Sequence, residues 1–217
     1  KYGLKVVYDG KVLIKLLRIS VWSMLHSFVS VAPWFLFFVA IEHLGRTELA
    51  ISNITRSVST VFFVIVNSFA STTGSLVSNL IGAGQGKGKE LFPVCHKVLR
   101  LGYAVGGPLI VMALWGNQWV IGFYTNNDNL VRLAFYPFIV MLLNYAFALP
   151  GYVYINAVTG TGKTKLAFIF QLITILVYLI YLYLLSECFH ASLTVYMTAE
   201  YLFVILLGIQ SVIYLKR

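Results

Sequence analysis

An arginine, a glutamate, a histidine and a row of asparagines and serines lie inside stretches otherwise built from Leu, Ile, Val and Phe. Asn53, Ser57, Thr60, Asn67, Ser71, Gly74 and Ser78 recur at spacings of three, four or seven, with Arg56 and Ser75 at the edge of the row. At 3.6 residues per turn that spacing stacks them on one helical face. Ile54, Val58, Val61, Phe62, Ile65, Phe69, Leu76 and Leu80 form the other face, so one side suits lipid and the other suits protein or water. From Ser71 to Ser78 two readings stand level, since small residues both line cavities and let membrane helices pack closely. Asn53, Arg56 and Asn67 favour a polar cavity, because an arginine at membrane depth is expensive unless it meets a cavity, a partner or the interface.

Glu200 lies about eight residues into another apolar run. An isolated carboxylate there is either protonated, paired or wet, and hence a candidate for ion coupling, or it is solvated at the rim of a tilted helix. His26 is the second coupling candidate, as an imidazole that relays protons near neutral pH; its alternative is a structural, hydrogen-bonded histidine. Asn144 and Asn156 offer amide oxygens to a cation or a substrate, or they join helices. The run Gly160-Thr-Gly-Lys-Thr164 looks like the end of a phosphate-binding loop, but that motif needs glycine where Ala157 stands, after a strand. A tight basic turn is the better reading. No Ser-His-Asp set, no His/Cys metal spacing and no close carboxylate pair occurs at one depth, which argues against an enzyme.

The elements that must hold these residues are membrane helices. With 59% hydrophobic and 11% charged residues, the composition departs from that of soluble domains and fits an all-α, polytopic membrane protein. The net charge of +9 is spread over short loops between apolar segments, so nucleic acid is not the expected partner. Six spans are predicted: 19–41 with Pro33 at its middle, 49–81, 101–115, 131–158, 166–185 and 193–215. The fourth, with Pro137, Asn144 and Pro150, is expected to be broken twice. Residues 1–18 read as a basic amphipathic surface segment, 90–100 as polar-amphipathic, and 116–129 as a loop with interfacial Trp115, Trp119 and Tyr124. With a cytoplasmic N-terminus, thirteen Lys and Arg residues fall inside and only Arg46 and Arg132 outside, with Arg56 left within a span. The positive-inside rule therefore predicts cytoplasmic termini. Cys95 and Cys188 then lie on opposite sides, too far apart for a disulfide. The chain starts Lys-Tyr-Gly without a visible signal peptide and reads as a piece of something longer.

Two segments resemble a known family. The run LAISNITRSVSTVF followed by ASTTGSLVSNLIGAGQGKGKE is similar to the second helix of the carboxyl-terminal six-helix lobe of multidrug and toxic compound extrusion (MATE) transporters. Tyr154-Ile-Asn-Ala-Val-Thr-Gly-Thr-Gly-Lys-Thr-Lys165 is similar to the glycine-bearing turn after that lobe's fourth helix. The resemblance implies that 19–217 is one lobe of a twelve-helix transporter in the plasma (inner) membrane, 1–18 being a cytoplasmic inter-lobe linker and the amino-terminal lobe missing. It implies export of amphipathic or cationic organic compounds by alternating access, driven by a sodium or proton gradient, with no cofactor. Asn53, Arg56, Ser57, Asn67, Ser71 and Asn144 are then expected to line the cavity. Many members carry acidic residues in the first and fourth helices of this lobe; here there is none between Asp9 and Glu42 or between Asp128 and Glu187. No coupling carboxylate carries over, which leaves coupling to the other lobe, to His26 or Glu200 as substitutes, or to neither, in a fragment that does not couple. The alternatives are a flippase for lipid-linked saccharides and a non-transporting membrane interaction module.

Overall fold

The computed structural model describes residues 10–84, 88–189 and 191–216. The basic residues of 1–9 and part of the glycine run, 85–87, lie outside them. Six helices or helix pairs among the described residues are long and apolar enough to cross a membrane. The first, α1 (Gly10–Glu42), is one helix of 33 residues that stays helical through Pro33. At 1.5 Å per residue it measures about 50 Å, against a hydrocarbon core of about 30 Å. The expected boundary between surface segment and span near residue 18 is therefore not a break in secondary structure: nothing between Lys11 and Ala32 stops a helix.

Gly45 turns the chain into α2 (Arg46–Gly82), the long helix that carries the polar row. Its buried residues, Ile51, Ser52, Thr55, Arg56, Val58, Phe62, Val66, Ala70, Thr73 and Val77, follow a helical period and form the face turned into the bundle. The face expected to meet lipid is thus split. Val58 and Phe62 are core, whereas Val61 and Leu76 are exposed. Asn53, Ser57, Thr60, Asn67, Ser71 and Ser78 all lie on the exposed side.

After a 3-10 turn at Gly88–Leu91, α3 (Phe92–Trp115) begins earlier than the span predicted from hydropathy. Pro93 stands in its first turn, where a missing N–H leaves no bond unmade. Within the predicted loop, α4 (Asn117–Gly122) forms one short helix, and Trp115 and Trp119 point outward, 92% and 81% exposed. Asn127 caps α5 (Asp128–Leu143) by accepting from the backbone N–H of Asn129 and Leu130.

The fourth span is interrupted once, at Asn144, and resumes as α6 (Tyr145–Gly160). Both prolines sit inside helices, so the expectation of two breaks is corrected to one. The reason is visible at Pro150. A proline at this position cannot donate to the carbonyl four residues back, that of Ala146; the Tyr103 hydroxyl of α3 donates to it instead, at 2.6 Å.

A tight turn at Gly162 (φ +80°) leads into α7 (Thr164–Tyr183), extended by a π-helical turn at Leu184–Cys188. The Gly162 turn is the stretch that looks like a phosphate loop, and the helix α6, rather than a strand, precedes it. The last span is α8 (Leu193–Tyr196) followed by α9 (Ala199–Lys216).

The centre of the bundle is α6, which packs chiefly on α2 and α9, while α1 packs on α7. Glycines allow the approach. A Cβ on Gly160 would lie 2.5 Å from the Gly74 carbonyl oxygen, and one on Gly151 would lie 2.5 Å from that of Val204. Cys95 is buried, Cys188 is exposed, and both are free.

Candidate functional site

Arg56 and Glu200, 144 positions apart in sequence, meet inside the bundle. Arg56 stands ten residues into α2, and Glu200 is the second residue of α9. Arg56 Nη2 donates to Glu200 Oε1 at 3.2 Å, with the two side chains 8% and 9% exposed. Moving either charge alone out of water costs several kcal/mol, so each needs the other.

The guanidinium has a second set of neighbours on α1. Its Cζ lies 4.5 Å from the ring centroid of Trp34, 5.1 Å from Phe37 and 4.9 Å from Phe38. A cation over aromatic faces is attracted by the ring quadrupole, by about 2 kcal/mol when desolvated. Three helices, α1, α2 and α9, are therefore tied through one side chain. Ser59 and Thr60 complete the local order by donating to the Arg56 carbonyl at 2.9 and 2.8 Å.

Beside the pair lies a cavity of about 60 Å³. Arg56, Glu200, Asn144, Tyr152 and Trp34 contribute to its wall, with Phe62 and Tyr145. Asn144, at the interruption of the fourth span, is 9% exposed, and its Oδ1 has no protein partner; nor do Nε and Nη1 of Arg56. Organic ligands occupy sites of roughly 300–1,000 Å³. This cavity takes water-sized guests, and a drug-sized molecule would have to bind elsewhere.

The residues singled out in the sequence thus separate into three places. Arg56, Asn144 and Glu200 converge on the cavity. Asn53, Ser57, Asn67 and Ser71 lie outside it, on the exposed face of α2. Their hydroxyls are already committed as donors, Ser57 to the Asn53 carbonyl at 2.8 Å and Ser71 to the Ser68 carbonyl at 3.1 Å, so toward any partner they act chiefly as acceptors. His26 sits partly buried in α1, about two turns from Trp34, with its Nε2 buried and without a partner.

Two features were not read from the sequence. One is the pairing of Arg56 with Glu200. Its signal was present, because the two are opposite charges inside spans, roughly 15 and 10 Å from the helix ends at Arg46 and Leu193 by helical rise, and those ends face the same side. The other is a set of tyrosine hydroxyls around the interrupted span. Tyr145 donates to the Gly102 carbonyl at 2.8 Å, and Tyr201 donates to that of Val140. No spacing rule announces these, since each joins helices distant in sequence.

Comparison with known proteins agrees with this architecture. A solved structure titled "Crystal structure of MATE in the bent conformation" superposes with a TM-score of 0.78 at 15% identity, covering 90% of this chain and 43% of that one. A protein of Schizosaccharomyces pombe (strain 972 / ATCC 24843) named "Uncharacterized transporter C4B3.13" is 32% identical over 104 residues, 48% of this chain and 19% of that protein. The chain therefore spans less than half the length of either. The family model described as MatE matches residues 23–184. That match takes in five of the six spans, with the interrupted helix and the glycine turn after it, and the chain belongs to the MatE family of membrane transporters.

Proposed function

We propose that this chain is the carboxyl-terminal six-helix lobe of an antiporter that exports amphipathic, often cationic organic compounds in exchange for sodium or protons. It works by rocking against an amino-terminal lobe, so that a shared central space opens to each side in turn. The observation that carries the reading is the exposed polar face of α2, where Asn53, Ser57, Asn67 and Ser71 stand outward along a membrane helix. Amides and hydroxyls facing hydrocarbon are unfavourable, so this face calls for water, substrate or a second polypeptide opposite it. The coverage of 43% of the solved MATE chain leaves length for such a second lobe.

In this reading the substrate lies against the exposed face of α2, outside the small internal cavity. Glu200 and His26 are the coupling candidates. The Lys and Arg distribution, thirteen against two, supports an orientation with both termini cytoplasmic, and in this reading the export role places the protein in the plasma (inner) membrane. The test is reconstitution of the full-length protein in vesicles with a fluorescent organic cation. Efflux that follows an imposed proton or sodium gradient is expected. No efflux under either gradient, with a lipid-linked saccharide translocated instead, would overturn the exporter reading.

A further inference from the structure

The ion pair leaves the cavity wall with two unpartnered donors, Nε and Nη1 of Arg56, and one unpartnered acceptor, Oδ1 of Asn144. Arg56 and Asn144 are both more than nine-tenths buried. A guest here must accept from a guanidinium and donate to an amide oxygen. A metal cation would be repelled by Arg56 and an anion by Glu200, and the pair together is neutral. Water does both jobs. A water site needs roughly 10–15 Å³ of probe-sized space and two to four polar partners, and about 60 Å³ with these side chains meets both conditions.

We propose that this cavity is a hydration site through which protons reach Glu200, and that proton uptake there, rather than sodium binding, is the ionic event of this lobe. The inference rests on the exporter reading above and names its coupling ion. A proton arriving through the cavity water forms an O–H bond on a Glu200 carboxylate oxygen. The carboxylate becomes a neutral carboxylic acid, a water molecule remains behind, and the site passes from neutral to one positive charge, that of Arg56.

The guanidinium then loses its hold on α9 but keeps its aromatic neighbours Trp34, Phe37 and Phe38 on α1. Proton uptake thereby detaches α9 from α2 while α2 stays fastened to α1. Sodium would need a shell of oxygen ligands where a guanidinium already stands at 3.2 Å.

The groups facing Glu200 are Arg56 from α2, Tyr152 from α6 and Tyr178 from α7. On α1, Trp34 stands across the cavity and His26 about two turns away. The 3-10 turn that touches α9 carries Glu90 at the opposite end of that helix. Glu200 is thus the carboxylate that the cavity serves.

The test uses the full-length protein in lipid discs and infrared difference spectra between neutral and acidic buffer. A protonated-carboxyl band is expected on acidification, unchanged by sodium at fixed pH and lost in Glu200→Gln. Asn144→Leu fills the cavity and should slow hydrogen–deuterium exchange of that band several-fold. Should Glu200→Gln fail to assemble, the double variant Arg56→Met/Glu200→Leu replaces both charges by apolar groups and should also lack the band.

A band of equal intensity in whichever Glu200 variant assembles, or a carboxyl response to sodium but not to acid, would overturn the proposal. The two readings fail separately. A protein that shows the Glu200 band but exports no organic cation refutes the exporter and leaves the proton site standing. Export driven by sodium alone, with no such band, does the reverse.

Discussion

At the scale of single residues, the Arg56–Glu200 pair decides how the lobe tolerates charge in its interior. Removing one partner leaves the other buried and uncompensated, which typically destabilises by about 3–5 kcal/mol, whereas replacing both by apolar groups of similar size is often neutral. Arg56→Leu is therefore expected to lower the unfolding temperature in detergent markedly, and Arg56→Met/Glu200→Leu to restore most of the loss. A double variant no more stable than Arg56→Leu would mean that the aromatic contacts of Arg56 on α1, rather than the ion pair, hold it in place. The individual charges were legible in the sequence, because an ionisable residue inside an apolar run needs an explanation. Their pairing was not, since periodicity orders residues within a helix and says nothing of which face meets which across 144 positions. The exposed or buried fate of Asn53 and Asn144 was equally hidden, because both are amides in membrane helices.

At the scale of helices, the fourth span shows what proline and glycine accomplish together. Prolines in the sequence suggested two breaks, yet α5 and α6 run through Pro137 and Pro150, and the interruption falls on Asn144. A proline inside a helix frees the carbonyl four residues back, and at Pro150 Tyr103 answers that of Ala146. Tyr103→Phe removes this donor, which lies at the exposed surface of the bundle, and should destabilise the lobe by about 0.5–1.5 kcal/mol, the usual net worth of one hydrogen bond. Thermal unfolding unchanged by the substitution would show that water reaches Ala146. The glycine turn was legible as punctuation, while the backbone contact of Gly160 with Gly74 was not, because contact between α6 and α2 is a property of the bundle. Gly160→Val places a side chain against the Gly74 carbonyl and should cost about 1–3 kcal/mol through overpacking. The measure is again thermal unfolding, where a change below about 0.5 kcal/mol, the usual range for surface sites, would mean that the helices can separate freely at that point.

At the scale of the whole molecule, the number of spans was legible because each needs about 20 apolar residues, a requirement set by the bilayer rather than by neighbouring helices. The use of each helix face depends on what lies opposite it, which the composition of a single span does not encode. The inward face of α2 is filled by α5 and α6, and its outward face carries Asn67 beside exposed Val64. If Asn67 faces the translocation space, Asn67→Leu removes an amide that substrate or water must meet there. Gradient-driven efflux of an organic cation should then fall several-fold, as for the loss of a hydrogen bond worth about 1 kcal/mol, with expression and thermal stability unchanged. Val64→Leu, an apolar exchange one turn away on the same exposed side, should leave efflux unaltered and so controls for a general effect on the helix. Asn67→Leu with full efflux but reduced stability would assign that amide to packing against a second lobe. The polar face of α2 would then be an interface between lobes, and the substrate path would have to run along another helix.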